Sequence, residues 1–212
     1  MKVSAFLFDL DGTLVDALPD LATALNRLRG ELGLAPLEIP RIRGYIGDGA
    51  ALLLTRALPP GEFSPLRLER FLALYRRHLL DRSSAYLGIR EFLELSRSTP
   101  MAVVTNKPLA HARELLRGLD LLWFFPVVIG GDSCPEKKPH PAPVLRALEL
   151  LGVGPAGAVL IGDHHTDLKA GRAAGVKTCF CAWGYGRQED EPCDYFAATP
   201  AELARLFPPE GR

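Results

Sequence analysis

Five short stretches of this chain are apolar almost throughout and stop at a polar or glycine-rich turn. They are Val3–Phe8 before Asp9, Met101–Val104 before Thr105, Val127–Ile129 before Gly130, Ala158–Ile161 before Gly162 and Val176–Ala182 before Gly184. A strand with one wet face alternates apolar and polar residues, whereas a continuously apolar strand needs both faces covered, as in a parallel sheet. Helical patterns lie between these runs, at Ala110–Leu119, Ala142–Leu151 and Asp167–Ala174. Strand and helix in alternation predict an α/β fold with a doubly wound parallel sheet.

One interval breaks the alternation. From Asp16 to Leu87 the pattern is helical: Leu18–Leu32, Ile39–Leu58 and Leu66–Leu80, separated by Gly33, Pro36, Pro40, Pro59, Pro60 and Gly61. This predicts an α/β core of residues 1–15 and 88–212 interrupted by a helical insertion at 16–87. The leucines Leu25, Leu28, Leu52, Leu53, Leu68 and Leu72 are expected to form the insertion's own core. Phe207–Arg212 reads as a frayed end.

Composition narrows the function classes. The 212 residues carry 25 Lys+Arg against 25 Asp+Glu, so no net field favours nucleic acid or an anionic membrane. Any phosphate binding would have to come from local placement. Cys134, Cys179, Cys181 and Cys193 lack zinc-knuckle spacing and are expected to be free thiols. No apolar window approaches a membrane span, and MKVSAFLFDLDG meets two carboxylates before a signal-like stretch forms. A cytoplasmic protein is expected, as a monomer or a homodimer.

The chemistry concentrates at the ends of the apolar runs. Asp9-Leu10-Asp11-Gly12-Thr13-Leu14-Val15-Asp16 follows the first of them. Asp9 and Asp11 can share a face there, and two close carboxylates need a cation or a shared proton. Thr105-Asn106 ends the next predicted strand with a hydroxyl and an amide. Lys138 offers a point charge beside Pro139, and Gly162-Asp163 ends a further strand with Asp167 one turn on. In open α/β sheets such groups gather at the carboxyl ends of the strands.

DxDGT, then Thr-Asn, then Lys-Pro, then GDxxxD resembles the haloacid dehalogenase superfamily of phosphohydrolases over nearly the whole chain. The resemblance implies Asp9 as nucleophile, forming an aspartyl phosphate, and Asp11 as general acid and then general base. It implies Mg²⁺ among Asp9, the Asp11 carbonyl and Asp163. Asp167 is included in the metal set, more as an orienting carboxylate than as a direct ligand. Thr105 and Lys138 would hold the phosphoryl oxygens. His164 and His165 depart from the small residue usual after Gly-Asp; they read as a solvated turn, or His164 as a phosphate contact.

The long interval between Thr13 and Thr105 resembles the superfamily type whose helical cap follows the first motif. Capped members act on small phosphorylated metabolites. Within that group Asp16–Leu21, Arg43–Ala50, Lys138–Pro143 and Trp183–Gly186 are similar to phosphoglycolate phosphatases, which implies 2-phosphoglycolate as substrate. Asn106, Arg43, Gly47, Asp48 and Gly49 are then candidate substrate contacts, with Arg43 suited to a carboxylate. Pyrophosphate, sugar phosphates and nucleotides would use the same core residues. A β-phosphoglucomutase-like isomerase is disfavoured by Leu21, which stands where those relatives carry histidine. The dehalogenases lack a second aspartate, and phosphonate hydrolysis needs a cap lysine that residues 16–87 do not contain. A non-catalytic binding protein would not be expected to keep Asp9, Asp11, Lys138 and Asp163 together.

Overall fold

A computed structural model describes residues 3–208. The strands are β1 (Ala5–Phe8), β2 (Val15–Asp16), β3 (Ser84–Ala85), β4 (Met101–Val104), β5 (Val127–Ile129), β6 (Ala158–Gly162), β7 (Lys177–Cys181) and β8 (Tyr195–Ala197). The helices are α1 (Leu18–Glu31), α2 (Ile39–Arg43), α3 (Ala50–Ala57), α4 (Pro65–Arg77), α5 (Ile89–Leu95), α6 (Leu109–Gly118), α7 (Ala142–Leu151), α8 (His165–Ala173) and α9 (Leu203–Leu206). Six strands form one parallel sheet in the order β5-β4-β1-β6-β7-β8. The chain winds outward from β1 in one direction and then, from β6, in the other. The winding therefore reverses between β1 and β6, where such sheets open a crevice at the carboxyl ends.

The continuous apolar runs are explained by the two faces they serve. Ala5, Leu7, Ala102, Val104 and Leu160 pack with Val144, Ala147 and Leu148 of α7 and Ala170 of α8. Phe6, Phe8, Val103 and Ile161 face the opposite layer, with Phe92, Leu115 and Leu116 of α5 and α6. At about 25 cal/mol per Å² of apolar surface, burial on both faces dominates the fold's stability. Phe207 belongs to this layer, edge-on to Phe6 at 5.4 Å and to Tyr195 at 4.9 Å. Phe207 is therefore part of the packed core and not of a frayed end, and residues 209–212 of that expectation lie outside the described residues.

The helical insertion leaves and rejoins the sheet through the antiparallel pair β2–β3, Val15 opposite Ala85 and Asp16 opposite Ser84. Asp20, fully buried in the first turn of α1, accepts from the Ser83 amide at 2.7 Å and hydroxyl at 2.8 Å, fixing the return strand. Ser64 caps α4 by accepting from the Arg67 amide. Leu25, Leu28 and Leu53 are buried and Leu68 and Leu72 half-buried against them, whereas Leu52 is 47% exposed. Leu52 misses the core because Leu53 and Leu54 occupy the inward arc of the short α3.

The single helix expected over Ile39–Leu58 is two helices. Gly47 and Gly49 sit at φ +124 and +92, and this loop bends down onto the sheet's carboxyl edge. A Cβ on Gly47 would lie 2.7 Å from the His164 ring, so only glycine fits that approach. All four cysteines are free thiols. No helix among the described residues is long and apolar enough to cross a membrane.

Candidate active site

Asp9 follows β1, Thr105-Asn106 follows β4, Lys138 lies in the loop between β5 and α7, and Asp163 follows β6. All five are buried at the crevice where the winding reverses. The centre is Lys138, whose Nζ donates to Asp9 Oδ1 at 2.8 Å, to Asp167 Oδ1 at 2.7 Å and to the Val104 carbonyl. Burial works against its charge, but Asp167 and Asp9 outweigh it and hold the ammonium above the ordinary lysine pKa.

Asp167 uses both of its oxygens. Its Oδ1 accepts from Lys138, and its Oδ2 accepts from the His164 amide at 3.0 Å, closing the N-terminus of α8. Asp163 is equally engaged: Oδ1 accepts from Thr13 at 3.0 Å, and Oδ2 from the amides of Tyr185 at 2.8 Å and Gly186 at 2.9 Å. Burial first, then the charges of Asp9 and Asp167, push the Asp163 carboxyl up to about 7. Gly12 makes this packing possible. At φ +90, a Cβ there would stand 2.3 Å from Asp163 Oδ2.

Asp9, Asp163 and Asp167 each place a carboxylate oxygen within 4.8 Å of the others. Three buried hard-oxygen donors with one lysine between two of them fit an oxygen-seeking divalent cation. The Thr105 hydroxyl accepts from the Lys107 amide at 3.2 Å. Asn106 donates to the carbonyls of Gly47 at 3.0 Å and Lys138 at 2.9 Å, and accepts from the Lys138 amide at 3.0 Å. Both of its donor hydrogens are spent on tying the Gly47 loop of the insertion to the lysine loop.

Sequence reasoning missed Lys107 and Tyr75. Lys107 is 6% exposed; its Nζ donates to both Asp11 oxygens at 2.9 and 2.8 Å and to the Tyr75 hydroxyl at 2.8 Å. Tyr75 comes from α4, so one ammonium joins the insertion to the carboxylate pair. Burial raises the Asp11 carboxyl above its usual range, and Lys107 offsets only part of that rise. A signal was present: Lys107-Pro108 repeats the Lys-Pro pairing of Lys138-Pro139, directly after Thr105-Asn106.

A cavity of about 50 Å³ lies between sheet edge and insertion, enough for a few small groups. Asp9, Asp11, Thr105, Asn106 and Lys107 line its floor, with Gly47, Gly49, Leu53, Phe71 and Tyr75 above. Arg43 and Asp48 do not line it. The exposed Arg43 donates to the Gly184 carbonyl, and Asp48 pairs with Arg56 at 2.6 Å. The cation facing the cavity is Lys107, in the place that the sequence reading gave to Arg43.

The sequence profile described as "Haloacid dehalogenase-like hydrolase" matches residues 6–181. A phosphoglycolate phosphatase of Chromobacterium violaceum is 39% identical over 215 residues, covering 97% of this chain and 96% of the relative. One of Aquifex aeolicus is 37% identical over 207 residues, covering 95% of each. A crystal structure of a predicted phosphoglycolate phosphatase from Haemophilus somnus 129PT superposes with a TM-score of 0.89 at 28% identity, covering 97% of this chain and 98% of that one.

Proposed function

This chain belongs to the haloacid dehalogenase-like hydrolases, and from that premise we propose that it is a Mg²⁺-dependent phosphatase of 2-phosphoglycolate, working through phosphorylated Asp9. The observation that carries the reading is the buried Asp9–Lys138–Asp167 cluster at the sheet's reversal point, roofed by a helical insertion. Residues 16–87 act in this reading as a cap that excludes bulk water.

Asp9 attacks phosphorus in line as the ester P–O bond breaks, and Asp11 gives its proton to the departing alkoxide. Burial raises the Asp11 carboxyl above its usual range, the direction an acid role calls for. Asp11 then takes a proton from the water that attacks the aspartyl phosphate, and cleavage of the P–O bond to Asp9 restores the carboxylate. Lys138 and the Thr105 hydroxyl hold the phosphoryl oxygens throughout. Asp9, Asp163 and the Asp11 carbonyl would hold Mg²⁺, which when bound supplies positive charge to the phosphoryl group; Asp167 orients Lys138 and the cluster.

Two measurements probe this reading. The folded Asp163 keeps its proton up to about 7, whereas the unfolded chain releases it at the ordinary value of 3.8. The stability this group lends the metal-free protein is present below that lower pKa and lost as pH rises through the higher one. Mg²⁺ competes with that proton, so its increase in Tm is expected to be larger at about pH 8 than at about pH 6. An equal or reversed increment would contradict the carboxylate site.

The second measurement concerns the substrate. 2-Phosphoglycolate carries a carboxylate close to its ester oxygen, and Lys107 lines the cavity as the cation that could reach it by exchanging one of its bonds to Asp11 or Tyr75. Losing one charge-assisted hydrogen bond costs about 1.5–3 kcal/mol, so Lys107→Ala is expected to cut kcat/KM for 2-phosphoglycolate about 10- to 100-fold more than for a neutral alkyl phosphate. Equal losses on both would leave Lys107 as a support for Asp11 alone. The wild-type protein should rank 2-phosphoglycolate first in a panel with pyrophosphate, sugar phosphates and nucleoside monophosphates. A different first choice would overturn the substrate and keep the core chemistry.

A further inference from the structure

His164 and His165 take no part in the mechanism above, yet both are held at the seam between cap and core. His164 lies under Gly47, with the edge that carries Nε2 against the cap loop. Its Nδ1 accepts from the Thr166 amide at 3.4 Å and lies 3.1 Å from the Thr166 hydroxyl, so a metal on Nε2 requires the tautomer in which Nδ1 gives up the amide and donates to the hydroxyl. His165 has the complementary arrangement. Its Nε2 stands 3.6 Å from Glu189, while its Nδ1 is buried with no hydrogen-bond partner.

The third member comes from the cap. The Asp48 carboxylate is 16% exposed and steadied by Arg56. One ligand atom from each of Asp48, His164 and His165 falls within 4.8 Å of the other two. Tetrahedral zinc needs ligand atoms about 3.3 Å apart, so the ion would draw these side chains closer together. The outer partners are of the kind that orient metal-bound imidazoles: a carboxylate behind His165 and a hydroxyl behind His164.

We propose that Asp48, His164 and His165 form a second metal site, for Zn²⁺ or a similar imidazole-seeking ion, which fastens the cap loop to the core and slows turnover. Its chemistry separates it from the carboxylate cluster at Asp9, because two imidazoles select zinc-like ions over Mg²⁺. Its position sets its effect. Asp48 moves with the cap and the histidines with the core, so an ion between them opposes the opening that substrate entry and product release require.

The test titrates Zn²⁺ into the protein in excess Mg²⁺, reading thermal stability and phosphate release together. Zn²⁺ is expected to raise Tm and to slow turnover at least tenfold. In His165→Ala both effects should vanish while turnover in Mg²⁺ alone stays within twofold of wild type. Asp48→Asn provides the same check from the cap side, read by Tm alone, should His165→Ala fold poorly. A Zn²⁺ shift that persists in the variants would place the ion among the catalytic carboxylates and overturn the proposal. So would the absence of a shift in the wild type. The Tm arm reports on this site whether or not the protein hydrolyses 2-phosphoglycolate.

Discussion

Asp9→Asn is expected to lose phosphate release by about 10⁴-fold or more while the protein stays folded. The amide keeps the size of the carboxylate, and its oxygen can still accept from Lys138, which Asp167 continues to hold. What disappears is the anionic nucleophile, and no neighbouring group can replace it. Asp163 spends its oxygens on Thr13 and two backbone amides, and Asp167 spends its own on Lys138 and the His164 amide. Removing one charge from the cluster also relieves Asp163, whose raised pKa owes its second-largest contribution to Asp9. The Tm should therefore hold or rise. A folded Asp9→Asn protein with ordinary turnover would remove the nucleophile assignment.

Lys138→Ala is the second large effect, and it falls on stability as well as on rate. The substitution leaves Asp9 and Asp167 buried without their shared cation, and breaking a buried pair in this way typically costs about 3–5 kcal/mol. That is a large part of the stability of an ordinary domain. The loss should depend on pH. Asp167, lifted to about 6 by burial despite Lys138, is pushed further up when the lysine goes. Its protonated form is then the stable one in the folded state. Stability of the variant should recover as pH falls toward about 5 and decline as pH rises, as denaturant melts across that range would register. A variant as stable as wild type at about pH 8 would show that the lysine does not neutralise the cluster.

The sequence made the sheet legible because parallel strands buried on both faces leave continuous apolar runs, and β4 and β5 begin and end where those runs do. The short β8 escaped the same reading. Phe196 is 52% exposed at the sheet's edge, so Tyr195–Ala197 carries no apolar run. Helix α5 escaped because Ile89–Leu95 spans only seven residues, too few for periodicity to separate it from a loop. Asp9 and Asp163 could be placed from strand ends alone, since topology brings the carboxyl ends of β1 and β6 together, whereas Lys138, in the loop after β5, took its role from the resemblance. Contacts made through the helical insertion could not. Tyr75 reads as one more apolar residue on α4, and nothing local ties it to Lys107 or Lys107 to Asp11. Arg43 shows the converse: a residue type suited to carboxylates stands near the right loop, yet its guanidinium goes to Gly184.

Covalent capture of the phosphoryl group tests the central claim most directly. In the proposed mechanism Asp11→Asn removes the base that activates the hydrolytic water, while an aryl phosphate, whose leaving group needs no proton, still lets the first step proceed. Acid-quenched Asp11→Asn protein, digested and examined by mass spectrometry, should carry one HPO₃ group on the peptide that contains Asp9. Phosphate on another residue, or steady hydrolysis with no phosphorylated peptide at any time, would contradict Asp9 as the nucleophile.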